Sequence, residues 1–281
     1  AQGVPARGGR RPVTAGGAAG TLRVAAAQGE SVSGDAEANV RSAAALVAEA
    51  ADRGARVVVL PELFLTGYDP DAWGPANVLS GVEDARLAPL AKVSAERRVV
   101  VVSGAAMPGE GGGHISVLVF DDGAITHPYR KQHLTDEERT AFRPGTEAGA
   151  ITVDGWRLGL GVCYDGCFPE HAMAAAEAGA TAYLCPSAYY EGSEHRRDLY
   201  YAARALDNGI YVVFAGLTGR CGARAFNGGS AIYDPEGRPV VRLDRESGVV
   251  VADLDAGEVA RVQQMNPIGQ DRRLASGPSI G

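Results

Sequence analysis

From Leu22 onward, apolar and polar positions fall into two alternating textures. Short unbroken apolar runs, LRVAAAQ (22–28), ARVVVL (55–60) and VVVVSGAAM (99–107), have the length of strands buried on both faces. Between the first two, a helix opens at Asp35. It carries Val40, Ala44, Val47 and Ala51 on one face and stops at Gly54. DARLAPLAKVSAERR (84–98) predicts a second helix, with Pro89 weakening its first turns. Beyond residue 113 the pattern becomes hairpin-like. HISVLVF (114–120) and AITHPYRK (124–131) flank one Asp-Gly turn, and AITV (150–153) and WRLGLGVC (156–163) flank another.

Helix and strand then alternate again. PEHAMAAAEAGA (169–180) reads as a helix, TAYLCP (181–186) as a strand, SEHRRDLYYAARALDNG (193–209) as a long helix and IYVVFAG (210–216) as a strand. Residues 228–255 read as a strand meander. The two halves look alike, and no fixed-period repeat is present. This mixture predicts an α/β fold with one mixed sheet or two packed sheets and helices outside, in a single domain over residues 22–281. Residues 1–21, rich in Gly, Ala, Pro and Arg, predict a disordered tail. Arg10-Arg11 is followed by too little apolar sequence for a twin-arginine export signal.

Composition narrows the function. With 281 residues, 46% of them hydrophobic, the chain can bury a large core. A net charge of -7 argues against a nucleic-acid partner. No apolar stretch approaches the ~20 residues of a membrane span. Four cysteines, none in a C-x-x-C, suit a reducing, cytoplasmic setting rather than a disulfide framework. The five histidines form no metal-ligand grouping with them, so no metal is expected.

Reactive residues stand where apolar strands run out, which is where open α/β sheets keep ligands. Glu62 directly follows VVVLP, and a carboxylate tucked there needs a partner. Lys131 ends a hairpin strand. Cys163 sits on a strand-to-helix elbow, with Gly159 and Gly161 before it and Pro169 opening the helix beyond. Each alone reads more readily as a surface charge or an inert buried thiol. Together they supply a nucleophile, a base and an oxyanion cation. Cys167 is expected to be small-residue packing, and Cys185 and Cys221 buried and inert.

In these stretches the chain resembles the nitrilase superfamily of carbon–nitrogen hydrolases. VVLPELFLTGY (58–68) matches its glutamate motif, YRKQHL (129–134) its lysine motif and GVCYDGCFPE (161–170) its cysteine motif, in order. ERTAFRPG (138–145) resembles the segment with a second active-site glutamate, which falls on Glu138. The resemblance implies a four-layer α-β-β-α sandwich with two mixed sheets, assembled into homodimers or larger homo-oligomers. It also implies hydrolysis of a small amide through a thioester on Cys163, with Glu62 as base and with no cofactor or metal. Lys131 and the Tyr164 backbone N–H would hold the oxyanion, and Glu138 would hold Lys131.

Tyr68, Tyr164, Tyr189 and Tyr190 are the expected pocket lining. His195, Arg196 and Arg197 are expected at its rim, where Arg196 would meet a substrate carboxylate unless Glu191 and Glu194 pair with these arginines. GHISVLVF (113–120), FAGLTG (214–219) and EGSEHRRD (191–198) depart from common family patterns near the expected pocket mouth. Alternatives within the same chemistry are an N-carbamoyl-amino-acid amidohydrolase and a nitrilase. From other classes come a catalytically silent scaffold or binding member and a thiol redox sensor using Cys163 with Cys167.

Overall fold

The computed structural model describes residues 20–109 and 111–275. The tail expected over residues 1–21 therefore lies outside the described residues, apart from Gly20 and Thr21. Thr21 already belongs to the first strand and pairs with Asp255, one position before the expected start.

The first half builds one sheet and its helices. Strand β1 (Thr21–Gln28) leads into helix α1 (Ala36–Asp52), whose N-cap Asp35 accepts from the Ala38 N–H. Val40, Ala43, Val47 and Ala50 of α1 are fully buried. Next come β2 (Val57–Val59), two 3-10 turns (Pro70–Ala72 and Ala85–Leu87) and α2 (Ala88–Arg97), which tolerates Pro89 because it falls in the first turn. Strands β3 (Val100–Met107), β4 (His114–Asp121) and β5 (Ala124–Arg130) complete this half.

The second half repeats the arrangement. It runs through β6 (Gly149–Val153), β7 (Trp156–Leu160), α3 (Pro169–Glu177), β8 (Ala182–Ser187), α4 (Glu194–Asn208) and β9 (Tyr211–Gly216). A short hairpin follows, β10 (Thr218–Cys221) and β11 (Arg224–Asn227). The chain closes with β12 (Ala231–Tyr233), β13 (Pro239–Arg242), β14 (Gly248–Asp255), α5 (Ala256–Met265) and α6 (Ile268–Ala275).

The strands form two six-stranded mixed sheets, ordered β14-β1-β2-β3-β4-β5 and β13-β12-β9-β8-β7-β6. Each has a parallel trio at its centre, β1-β2-β3 or β7-β8-β9, flanked by antiparallel strands. The sheets face each other through β1, β2 and β3 against β8 and β9. Helices α1 and α2 cover the outer face of the first sheet, α3 and α4 that of the second. This is the expected four-layer α-β-β-α sandwich. It explains the all-apolar central strands: Val57, Val58 and Val59 are fully buried, with a helix layer on one side and the opposing sheet on the other.

Both Asp-Gly turns are as expected. Asp122-Gly123 and Asp154-Gly155 have positive φ at both positions (48° and 79°, 49° and 82°), the backbone whose twist suits a two-residue hairpin. The β10–β11 hairpin and the helices α5 and α6 were not anticipated. The hairpin strands have only four residues each. Helix α5 begins directly at the end of β14, with Asp255 serving as its cap.

Gly104 of β3 pins the turn that carries Glu62. Its N–H donates to the Pro61 carbonyl, and its own carbonyl accepts from the Leu65 N–H. A Cβ at this position would lie 2.4 Å from Leu63 N and 2.7 Å from Glu62 Cα, both backbone atoms that cannot swing away. Gly104→Ala is expected to destabilise the fold by ~1–3 kcal/mol, read as a lower urea midpoint. An unchanged midpoint would show that the Glu62 turn is not held this tightly.

Candidate active site

Glu62, Lys131, Glu138 and Cys163, far apart in sequence, meet where the two sheets abut. Glu62 follows the carboxyl end of β2, and its N–H reaches across the interface to the Ser187 carbonyl at the end of β8 (3.4 Å). Lys131 follows β5, an edge strand whose last residues alternate: Tyr129 and Lys131 point inward, Arg130 outward. Glu138 opens a short 3-10 turn (Glu138–Thr140) whose entry is held by a hydrogen bond from the Glu138 N–H to Thr135 Oγ1. Cys163 begins the 3-10 elbow Cys163–Cys167 after β7.

Lys131 Nζ donates to Glu62 Oε1 at 2.7 Å and to Glu138 Oε1 at 2.6 Å, and all three side chains are fully buried. Glu138 Oε1 also accepts from the Tyr68 hydroxyl (2.6 Å), and Oε2 from the Thr135 N–H (2.9 Å). Glu62 Oε2 is buried without a hydrogen-bond partner, and the Cys163 thiol lies close enough for the two side chains to influence each other's proton affinity. Cys163 Sγ donates to the Ala188 carbonyl (3.4 Å).

Burial pushes Glu62 up to about 8. Lys131 pulls the other way and the second carboxylate, Glu138, adds to the rise. Burial alone would lower Lys131, but Glu62 and Glu138 outweigh it and hold the ammonium charged. Burial and the Glu62 carboxylate push the Cys163 thiol well up, with Lys131 opposing. The thiol is therefore protonated at rest, next to a carboxyl group of unusually high proton affinity.

The backbone is bent to make these approaches. Cys163 has φ 43° and Leu63, directly after Glu62, has φ 50°, both in the left-handed region that non-glycine residues seldom occupy. The Tyr201 hydroxyl donates to the Cys163 carbonyl (3.1 Å) and lies 2.9 Å from Ser187 Oγ, fixing the elbow against β8. Tyr201 and Ser187 escaped the sequence reading, because neither stands at a motif and both resemble ordinary core residues.

Above Cys163 opens a cavity of about 470 Å3. Every expected lining residue reaches it: Tyr68, Tyr164, Tyr189, Tyr190 and Arg196. Tyr68 packs edge-on to Trp73 and Phe226, so one wall is a fixed aromatic surface. Among the lining charges, Glu137 is held by Arg224 and the Tyr190 hydroxyl, and Glu191 by Arg245. The Arg196 guanidinium is exposed and has no partner among the described residues.

Four expectations need correction. Arg197 is not at the rim. It is buried, donating to Asn227 Oδ1 and to the Asn227 and Gly228 carbonyls, because it sits on the inner face of α4. His195 is exposed and does not line the cavity. Glu191 and Glu194 pair with Arg245 rather than with the arginines of α4. Cys167 is also more than packing: it lines the cavity, its sulfur 3.5 Å from the Tyr189 hydroxyl. Cys163 and Cys167 are both free thiols, and Cys185 and Cys221 are free and buried. Among the described residues no group of three or more His, Cys, Asp or Glu side chains is arranged to hold a metal ion. No helix of the described residues is long and apolar enough to cross a membrane.

A protein-family model described as carbon–nitrogen hydrolase matches residues 23–264. The deaminated glutathione amidase of Escherichia coli O157:H7 is 32% identical, over 85% of this chain and 93% of that protein. An omega-amidase of Mus musculus is 31% identical, over 84% of this chain and 89% of its own length. Among solved structures, a mutant amidase of Nesterenkonia sp. AN1, from the nitrilase superfamily, superposes with a TM-score of 0.79 at 30% identity, covering 94% of this chain and 98% of that one. A second mutant of that amidase carries the acetamide moiety of fluoroacetamide on its active-site cysteine. It matches with a TM-score of 0.79 at 29% identity, over 95% of this chain and 98% of that one.

The rate of Cys163 alkylation by iodoacetamide is expected to climb with pH. The sign follows from Glu62: below its value of about 8 it is protonated and cannot accept the thiol proton, and above it the carboxylate can. Glu62→Gln should abolish the step near pH 8. An identical profile in both proteins would mean that Glu62 does not act on the thiol.

Proposed function

The chain belongs to the carbon–nitrogen hydrolase family and is an enzyme acting on amides, and on that premise we propose a thioester route for small amides whose far end bears a carboxylate. Cys163 Sγ attacks the amide carbon while its proton passes to Glu62. Lys131 Nζ and the Tyr164 backbone N–H stabilise the oxygen that becomes negative. The C–N bond then breaks, Glu62 returns the proton to nitrogen, and ammonia leaves behind a thioester on Cys163. Glu62 next removes a proton from water as the water oxygen attacks the thioester carbon. The carboxylic acid departs and the thiol is restored. Glu138 holds Lys131 and, through Tyr68, the cavity wall.

The observation that carries this reading is the buried Glu62–Lys131–Glu138 cluster directly behind the Cys163 elbow, with the thiol facing a cavity. A carboxyl whose proton affinity is raised to about 8 is better matched to a thiol than an ordinary glutamate is. The intact set also argues against a silent scaffold, since burying two carboxylates around one ammonium costs stability that only chemistry at the site repays.

The carboxylate tail rests on Arg196, the lining charge left without a counter-ion. Guanidinium groups bind carboxylates in a planar, two-bond geometry. The names of the relatives, an omega-amidase and a deaminated glutathione amidase, agree with an acid-bearing amide. A cavity of about 470 Å3 suits a small molecule. The proposal includes self-association, supported by Leu199 and Leu206, exposed one heptad apart on α4. It also includes a cytoplasmic, reducing setting, supported by the four free thiols.

Ammonia release from a panel of short aliphatic amides, aryl amides, ω-amides, N-carbamoyl amino acids and nitriles tests the proposal. ω-Amides are expected to be the best substrates, and Cys163→Ala to abolish release. Arg196→Ala should raise KM for acid-bearing amides ~10-fold and leave neutral amides unchanged. Equal background release from wild type and Cys163→Ala across the panel would overturn the hydrolytic reading. Equal effects of Arg196→Ala on acidic and neutral amides would overturn the carboxylate contact alone.

A further inference from the structure

Beneath the elbow lies a second buried polar group that the chemistry above does not use. The Asp165 carboxylate is fully buried and accepts four hydrogen bonds. Its Oδ1 takes the His133 N–H (2.9 Å) and His133 Nδ1 (2.8 Å). Its Oδ2 takes the Tyr129 hydroxyl (2.7 Å) and the Val162 N–H (3.0 Å).

These partners have a common feature in sequence. Tyr129 lies two residues before Lys131 and His133 two residues after it. Val162 immediately precedes Cys163, and Asp165 stands two residues beyond it. One carboxylate therefore grips the chain on both sides of the lysine and on both sides of the thiol. Lys131 Nζ lies at the end of a flexible four-carbon stem on an edge strand, so without such a grip its distance to Cys163 would depend on how β5 frays.

The grip is itself braced. The Tyr129 hydroxyl lies 2.8 Å from His171 Nε2, and His171 Nδ1 lies 2.9 Å from the Tyr183 hydroxyl. With Tyr129 donating to Asp165, the chain closes in one sense only: Tyr183 O–H to Nδ1, Nε2–H to Tyr129 Oη, Tyr129 O–H to Asp165. Helix α3 and strand β8 are thus tied to the same carboxylate. Gly161 makes room for this line, since a Cβ there would sit 1.8 Å from the Tyr183 hydroxyl oxygen. On the other side, the His133 ring stacks on Phe168 at 3.9 Å, just where the elbow joins α3. Every acceptor site on Asp165 is filled, which marks a built clamp rather than a stray buried acid.

We infer that Asp165 is a positioning residue that holds Lys131 in register with Cys163, acting through Tyr129, His133 and Val162 without touching the substrate. It rests on the proposed role of Lys131 as the cation that steadies the thiolate and the oxyanion. Replacing one acceptor oxygen by an amide N–H₂ would set donor against donor at Val162 and Tyr129 and let the two segments drift. Misplacing a reacting group by about an ångström costs ~10²-fold in rate.

The test is a double-mutant cycle read by thiol alkylation, which needs no turnover. Asp165→Asn should slow iodoacetamide labelling of Cys163 and move its pH profile upward in the otherwise wild-type protein. In a Lys131→Met background it should change neither, because the lysine it positions is gone. On an amide substrate, Asp165→Asn should lower kcat ~10²-fold with KM within a few-fold of wild type. Equal slowing in both backgrounds, or an unchanged profile in wild type, overturns the inference.

Should Asp165→Asn fail to fold, Tyr129→Phe decides. It leaves three of the four bonds and should cost ~10-fold in kcat, and no loss overturns the inference. A wild-type protein that releases no ammonia from any amide would instead count against the proposed hydrolysis, leaving the alkylation cycle readable.

Discussion

The site depends on one buried ammonium shared by two buried carboxylates. Lys131 brings a charge into a region with no exposed surface, and it is tolerated because Glu62 and Glu138 both reach it at 2.6–2.7 Å. The arrangement remains one negative charge in excess when all three groups are ionised. A dry setting penalises that excess, so the cluster favours an additional proton, and Glu62 is where the proton affinity rises. Removing Lys131 would leave two buried carboxylates facing each other with no cation between them. The cluster is thus a poor source of stability and a site of raised proton affinity.

That constraint accounts for much of the fold around it. The three charges come from the end of β2, the end of β5 and a short turn beyond it, and the thiol comes from the opposite sheet at the end of β7. Only two sheets packed face to face can bring such ends together while excluding water. The chain accepts left-handed backbone at Leu63 and Cys163 to complete the approach, and offsets it with specific supports. Gly104 holds the glutamate turn, Tyr201 holds the Cys163 carbonyl, and Asp165 ties the elbow to the lysine strand.

What could be read from the sequence follows the same logic. Apolar strands that break into Pro-Glu or Val-Cys announce reactive ends at Glu62 and Cys163, whereas Lys131 ends a largely exposed edge strand and gains meaning in the sequence only beside those two. The hairpins were visible because Asp-Gly at a two-residue turn demands positive φ at both positions. Asp165 was not visible as a clamp, since its four hydrogen bonds come from three residues in two distant segments and are meaningful only in space. Arg196 and Arg197 look identical in sequence, and only the facing of α4 separates a rim cation from a buried strut. Helix α5 was hidden by the strand meander that runs straight into it, although Asp255 is a conventional cap.

The central claim is that the carbon–nitrogen bond is broken by way of a thioester on Cys163. Its most direct test is intact-protein mass spectrometry of enzyme quenched with acid during turnover of an acid-bearing amide, followed by peptide mapping. The predicted result is an acyl adduct, equal to the substrate less ammonia, confined to the peptide containing Cys163 and discharged by hydroxylamine. Steady ammonia release with no acyl adduct at any quench time, retained by the Cys163→Ala protein, would contradict it.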